Sequence, residues 1–376
     1  MASAADRKCR RRLPTRLYTP TENTQRMTKT KNENTNWGML FRVAIVGAAT
    51  LKGREIKEVL SERNFPAQDV RLLDDEESLG QLEQVGDEAT FIQSLVPEHL
   101  ANVDFAFFAS DPEFTQKTWK QSKQSGSEII DLSYALENEP GVQLRSPWIE
   151  HELGTAELSL TTHPVVVAHP AAVVLALLLV RAKKAGAIRN AIATVFEPAS
   201  ERGKRGMDEL HEQTINLLSF QQLPMTIFGT QVAFNMVDRF GAGSVHSLAE
   251  SEQRILRHFK AIVGNAAPVP SLMLLQTPTF HGHGFSLYIE LADGATLDQL
   301  REALSGEHVT LATETEAPNN VSAAGQEQVL VNVRRDPLKE SGFWIWATSD
   351  NLRVSSTSAV ECAELMAASR PRGQVQ

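Results

Sequence analysis

Phe41-Arg-Val-Ala-Ile-Val-Gly-Ala-Ala-Thr-Leu-Lys-Gly53 is a short apolar run that ends in glycine, crosses a turn of small residues and reaches a second glycine. The next stretch, Arg54-Glu-Ile-Lys-Glu-Val-Leu60, has helical periodicity, so the segment predicts a strand, a tight turn and a helix. Such a turn presents free N–H groups at a helix N-terminus, which is how mononucleotide and dinucleotide sites hold phosphate. The spacing of Gly47 and Gly53 suits the turn and a close helix–sheet approach, whereas Thr50 in the middle hinders a pyrophosphate. Two readings stay open: a nucleotide site built from Gly47, Ala49, Thr50, Leu51 and Gly53, or a purely structural βαβ turn.

Outward from this segment, Val70–Leu73 predicts a second strand that ends at Asp74-Asp75-Glu76-Glu77. Asp74 and Asp75 fall about 20 residues past the glycine turn, where an acidic side chain accepts from the ribose 2′-hydroxyl of NAD and repels the 2′-phosphate of NADP. The alternative is that the acidic cluster only opens a solvated helix. Asp104–Ala109 and Glu128–Asp131 predict a third and a fourth strand, and strands alternating with helices imply a parallel sheet. From about residue 155 the character changes. Strands are expected at Ala191–Phe196, Ser271–Phe280, Phe285–Leu291 and Gln328–Val333, with helices at Lys204–Leu218 and Ala249–Val263. A last helix, Ser358–Ala368, is expected to pack back onto the first domain. The fold class is therefore α/β, a mostly parallel sheet domain followed by a mixed α+β domain. The expected divisions are a leader over 1–37, a first domain over 38–155 with the C-terminal helix at 350–370, and a second over 156–349.

Val165-Val-Val-Ala-His-Pro-Ala-Ala-Val-Val-Leu-Ala-Leu-Leu-Leu-Val180 reads as a strand, a turn at His169-Pro170 and a buried helix. Ala172 falls on the first turn of that helix, in the positive field of its N-terminus, where a thiol would be activated. The run is too short to span a bilayer and is broken by His-Pro. The chain of 376 residues carries a net charge of −9, yet residues 1–40 hold about +6 and the rest about −15. An acidic body argues against nucleic acid or an anionic membrane as partner. Two cysteines, Cys9 and Cys362, exclude a disulfide framework and suit a reducing cytoplasm. The leader has no apolar core and cannot be a secretory signal. It is either an organellar transit peptide or an unstructured or wrongly assigned start, with Met27 or Met39 as the alternatives.

With these pieces placed, the chain resembles the aspartate-semialdehyde dehydrogenase family, and more closely its divergent Usg-1-like branch, over about Phe41 to Leu365. The marks are the Gly47–Gly53 turn, Asp131-Leu-Ser-Tyr-Ala135, Gly203-Lys-Arg-Gly-Met-Asp-Glu-Leu-His-Glu-Gln213, Val232-Ala-Phe-Asn235, Gly282-His283 and Asp350-Asn-Leu-Arg353. The resemblance implies a Rossmann-type dinucleotide-binding domain and a dimerisation/catalytic domain. It also implies a homodimer and NAD(P)-dependent reductive dephosphorylation of aspartyl phosphate through a cysteine thioester.

Carried over residue by residue, the resemblance leaves this reaction incomplete. The nucleophile position falls on Ala172 in His169-Pro170-Ala171-Ala172, and the arginine for the substrate carboxylate falls on Gln276. The arginine for the 2′-phosphate falls on Asp75. The Lys-Gly pair becomes Val354-Ser355, and the substrate-binding Glu-x-x-Lys falls near Ser251 to Arg254. The catalytic histidine is kept as His283. His281 and His283 would share one face of a strand, but no third metal ligand is apparent nearby, so an acid/base histidine is the preferred reading and no metal is expected. Three functions compete: a catalytically impaired paralogue that keeps the fold and dimer surface and binds a nucleotide or a small acidic metabolite, or pairs with an active homologue; an oxidoreductase of altered chemistry; and a structural protein with a vestigial pocket.

Overall fold

The computed structural model describes residues 40–85, 88–155, 163–292, 294–313 and 315–370. The leader and Cys9 lie outside them. The opening stretch forms β1 (Phe41–Val46) and α1 (Leu51–Glu62), as its pattern predicts. The chain continues through β2 (Ala67–Asp74), a hairpin of β3 (Leu82–Val85) and β4 (Glu88–Phe91), β5 (Gln93–Ser94) and α2 (Pro97–Leu100). It then forms β6 (Phe105–Phe108), α3 (Pro112–Gln124), β7 (Glu128–Asp131), β8 (Gln143–Arg145), α4 (Pro147–Leu153), β9 (Val165–Val167) and α5 (Pro170–Ala182). Seven of these strands make one sheet in the order β5-β2-β1-β6-β7-β9-β8, and every pair in it is parallel. Its central strands are apolar on both faces, as in Phe105–Phe108, because helices cover both sides. The strand order turns around at β1, which places the Gly47 turn at the switch point where open α/β sheets hold ligands.

The second half forms β10 (Ile188–Glu197), α6 (Gly203–Leu218), α7 (Leu248–Val263), β11 (Ser271–Gln276), β12 (His283–Leu291) and α8 (Leu297–Leu304). After these come β13 (Val309–Leu311), α9 (Asn320–Ala323), β14 (Val329–Arg335), β15 (Gly342–Ser349) and α10 (Asn351–Ser369). Six strands make a mixed sheet in the order β11-β10-β12-β15-β14-β13. Alternation sets its two faces. Val195, Phe285, Leu287 and Ile345 point into the core beneath α5, α7 and α8, while Ile192, Met273 and Trp346 stay exposed on the other face. A depression of about 260 Å³, lined by Ser286, Asn332, Arg334, Trp344, Ile345 and Trp346, lies on that open face.

All 13 residues of α5 are buried, which is why its sequence is apolar on every side. Between α6 and α7 the chain has no regular element, and two buried side chains of α6 hold it. The Glu209 carboxylate accepts from the N–H groups of Thr226, Ile227 and Phe228, and Gln213 Oε1 accepts from those of Val232 and Ala233.

The structure adds strands that the pattern did not announce, β3, β4, β5, β8 and β13, and differs from it in three places that bear on the second sheet and its site. The strand from Ser271 ends at Gln276, not Phe280. A further strand, β15, lies between β12 and β14. The last helix starts at Asn351, seven residues before Ser358, because the Asp350 carboxylate caps it by accepting from Leu352 N and Arg353 N, both at 2.9 Å. This helix fastens onto α1 through ion pairs. Arg353 meets Glu55 at 2.7 Å and also Glu62, and Arg63 meets Glu364 at 2.8 Å.

Candidate functional site

The glycine turn is closed by its own side chains. A Cβ on Gly47 would lie 2.3 Å from Ser110 N, and one on Gly53 would lie 2.1 Å from Gly47 O, so strand–helix packing alone requires both glycines. Thr50 is the N-cap of α1: its Oγ1 accepts from Gly53 N at 3.0 Å and donates to Gly47 O at 2.8 Å. Asp74 is buried, and its Oδ2 accepts from Ala49 N at 2.8 Å while Oδ1 accepts from Asp75 N at 2.9 Å. Burial raises the pKa of Asp74 against these two donors. The carboxylate is therefore a brace for the turn. The first-turn donors that neither Thr50 nor Asp74 occupies are those of Leu51 and Lys52. Asp75 caps the 3-10 turn Glu76–Ser78 without a side-chain bond to it, and its Oδ1 is buried with no protein partner.

A second cluster forms where α5 begins. His169 is its N-cap, with Nδ1 accepting from Ala171 N at 3.2 Å, so the ring proton sits on Nε2. That N–H faces Glu201 Oε2 at 3.8 Å, and His283 Nε2 lies 3.8 Å from Glu201 Oε1. Asn351 Nδ2 donates to the same Oε1 at 2.7 Å. Glu201 comes from the 3-10 turn Ala199–Arg202 after β10, and its side chain is 4% exposed. Burial works against its charge, but the facing imidazoles when protonated, Lys52 and the Asn351 hydrogen bond outweigh burial, and its pKa is lowered. His283 is fully buried with both ring nitrogens unpartnered. Burial, only partly opposed by Glu201, brings its pKa down to about 4, so it is neutral. His169 is lowered for the same reason.

Ala172 is the third residue of α5 and fully buried in this core. Tyr134 lies over the cluster from the loop after β7, with a backbone φ of +64°. Its ring stacks on His169 at 5.6 Å and meets the edge of His258 at 5.6 Å. Lys52 Nζ and Arg254 Cζ sit 4.7 and 5.1 Å from its centroid. Lys52 Nζ also donates to Leu132 O at 3.0 Å, and burial lowers its pKa. Arg254 pairs with Glu137 at 3.2 Å, and Glu137 in turn holds His258 Nε2 at 3.1 Å. Burial pushes the Glu137 carboxyl up, yet the bonds from His258 and Arg254 bring it down to about 2.

Gln276 is turned away from any carboxylate clamp. Its Nε2 donates to the backbone oxygens of Glu197 at 3.1 Å and Thr277 at 3.0 Å, leaving Oε1 buried without a partner. Glu197, beside it on β10, pairs with Arg202, which also donates to Ser251 Oγ at 3.0 Å. Burial and the neighbouring charge of Glu201 raise Glu197 to about 7 against the pull of Arg202.

The structure thus gathers His283, Ala172, Gln276, Ser251 and Arg254 around one buried cluster. The expected pairing of His281 with His283 on a strand face does not occur. β12 begins at His283, and Gly282 at φ +82° turns the chain, so His281 leaves for Asp350 Oδ2 at 2.6 Å. No group of three or more His, Cys, Asp or Glu that could hold a metal occurs among the described residues. Sequence reasoning missed Lys52, Tyr134, Glu137, Glu197 and Glu201. The signal for two of them was present in Glu197-Pro-Ala-Ser-Glu-Arg202, an ionisable break at the carboxyl end of a buried strand.

Comparison with known proteins bears on the family and the fold. The model of the semialdehyde dehydrogenase NAD-binding domain matches residues 42–175, and that of the semialdehyde dehydrogenase dimerisation domain matches residues 179–354. An aspartate-semialdehyde dehydrogenase of Rickettsia bellii is 28% identical over 86% of this chain and 97% of its own. A USG-1 protein homologue of Pseudomonas aeruginosa is 28% identical over 87% and 97%. The solved structure of a probable aspartate-semialdehyde dehydrogenase from Pseudomonas aeruginosa superposes with a TM-score of 0.76 at 27% identity, covering 87% of this chain and 98% of that one. The chain belongs to the aspartate-semialdehyde dehydrogenase family, as a member like the USG-1 proteins.

Proposed function

We propose that this chain is a dinucleotide-binding, dimer-forming member of its family that does not carry out the thioester reaction. The observation that carries this reading is Ala172. The first turn of α5 supplies a positive field where a thiolate would be activated, and the side chain there is a methyl group. No serine or cysteine adjoins it, and His169 Nδ1 is engaged in capping. Gln276 adds a second loss, since it cannot form a charge-assisted pair with a carboxylate. Lost transition-state contacts of this kind cost on the order of several kcal/mol. His283, retained with Nε2 3.8 Å from Glu201 Oε1, favours one further reading, acid/base-assisted reduction of a free aldehyde without a covalent step.

The residues present suit NAD. The N–H groups of Leu51 and Lys52 would meet phosphate oxygens, and the unpartnered Asp75 oxygen would accept from a ribose hydroxyl while repelling a 2′-phosphate. When bound, the nucleotide supplies hydride chemistry; the chain's part is to hold it. For the homodimer, the open face of the second sheet, with Ile192, Met273 and Trp346, offers apolar surface within the matched dimerisation domain. No described helix is long and apolar enough to cross a membrane, and we place the protein in the cytoplasm on its cysteine usage.

Three outcomes are expected. With aspartate semialdehyde, phosphate and NAD or NADP, absorbance of the reduced nucleotide should show a rate on the order of 10⁴-fold or more below that of a cysteine-bearing relative. Robust turnover by the unaltered chain would sink the proposal; Ala172→Cys alone should not restore the reaction, and robust turnover by that variant would sink the argument that Gln276 and Asp75 are further losses. In titration calorimetry NAD should bind at least about tenfold more tightly than NADP, and Asp75→Ser should narrow that gap; equal affinities would contradict the assignment of Asp75.

The third outcome concerns pH. The folded pKa of His283, about 4, lies below the ordinary value of about 6.5. Between those values the unfolded chain binds the extra proton, so the stability from neutral His283 is full above pH 6.5 and is lost as pH falls toward 4. The slope is about 1.4 kcal/mol per pH unit for one proton. His169 and His308 act in the same direction. Glu197, raised to about 7, and Glu361, raised to about 8, act the other way, so the readout is a difference: the urea midpoint of His283→Gln relative to the unaltered chain should rise as pH falls from 7.5 to 5. Parallel profiles would show that His283 titrates freely.

A further inference from the structure

Four polar residues stand in a row across the end of the second sheet. Gln276 on β11 pairs in register with Glu197 on β10. Phe196 pairs with Gly284, so the next antiparallel step sets Glu197 beside His283 on β12. His283 in turn pairs with Ser349 on β15. Their inward neighbours Leu274, Val195, Phe285 and Ala347 are buried, so the four side chains share the covered face. With about 4.8 Å between strands, the row spans on the order of 14 Å.

Every member of the row is fully buried and carries a polar atom without a protein partner: Gln276 Oε1, Glu197 Oε2, both ring nitrogens of His283, and Ser349 Oγ. Buried polar groups left unmatched are costly, and four adjacent ones on one face point to a ligand. The orientation of Gln276 is fixed, because its Nε2 donates to two backbone oxygens and a flipped amide would set oxygen against oxygen. At the Gln276–Glu197 end the unmatched atoms are two acceptors, one of them in a carboxyl group, and one donor, Arg202 Nε. The cation there, Arg202, directs its Nη2 at Glu197 and Ser251. Glu201 adds a second carboxylate beside the row, 3.8 Å from His283.

We infer that this row binds the protonated amine of a small polar ligand at Glu197 and Gln276, in place of the carboxylate that an arginine at position 276 would hold. The inference rests on the proposed loss of the thioester reaction. His283 and Ser349, each able to donate or accept, are left to hold a hydroxyl or carbonyl further along the same molecule.

The test uses two probes of matched size and opposite charge, ethylammonium chloride and sodium propionate, with sodium chloride as control, in thermal melts of the full chain. Saturating ethylammonium should raise Tm by about 2 °C or more, and propionate should do no more than the salt. Glu197→Gln should abolish the ethylammonium shift. Gln276→Arg, which keeps the Glu197–Arg202 pair, should reverse the preference toward propionate. The inference is overturned by a propionate shift in the unaltered chain, by no shift with either probe, or by an ethylammonium shift that survives Glu197→Gln. Turnover is read in the separate nucleotide assay, so failure of the thioester reading and failure of amine binding are told apart.

Discussion

A buried carboxylate decides the character of this site. Glu201 lies between the neutral rings of His169 and His283, tied by Asn351, at the N-terminal end of the helix that forms the middle of the molecule. An uncompensated charge in such a place would cost several kcal/mol, so its neighbours are constrained to answer it. His169 turns its N–H toward the carboxylate because its other nitrogen caps α5. Asn351 is in place because Asp350 starts α10 there, and Asp350 is held by His281 and Gly325. The field at the head of α5 thus faces a resident carboxylate, and nothing nucleophilic stands on its first turn.

The same economy governs the glycine turn. In an open dinucleotide site the backbone donors face solvent, ready for phosphate. Here Thr50 occupies Gly53 N, Asp74 occupies Ala49 N, and the donors left over are those of Leu51 and Lys52. Lys52 also reaches past the turn to Leu132 and Tyr134, so it links the nucleotide end of the first domain to the buried cluster. The glycine turn and Tyr134 thus share one side chain, Lys52.

Much of this was legible along the chain and some was not, for physical reasons. The β1 turn and α5 announce themselves through local pattern, because glycine spacing and an unbroken apolar run have few other meanings. Ala172, Gln276 and His283 could be placed because each sits at a fixed offset in a recognisable segment. Asp74 was read as a ribose contact, yet burial turns it into a brace for the turn, and only its neighbour Asp75 keeps an oxygen unmatched. The cluster of Lys52, Tyr134, Glu137, Glu197 and Glu201 was invisible because its members come from distant segments, and no local rule brings them together. The start of α10 was misread since Ser355, Ser356, Thr357 and Ser358 resemble a loop, although all four are buried. Strand β15 was overlooked because Trp344 and Trp346 put apolar side chains on its outer face as well, which hides the alternation.

The central claim is that no acyl group is ever carried on this chain. It is tested most directly by mixing the protein with aspartate semialdehyde and NAD, quenching in acid within a second, and measuring the intact mass. The unmodified mass is expected at every time point. A stoichiometric acyl adduct, mapped by peptide fragmentation to the segment from Val165 to Ala182 or to Glu201, would contradict it.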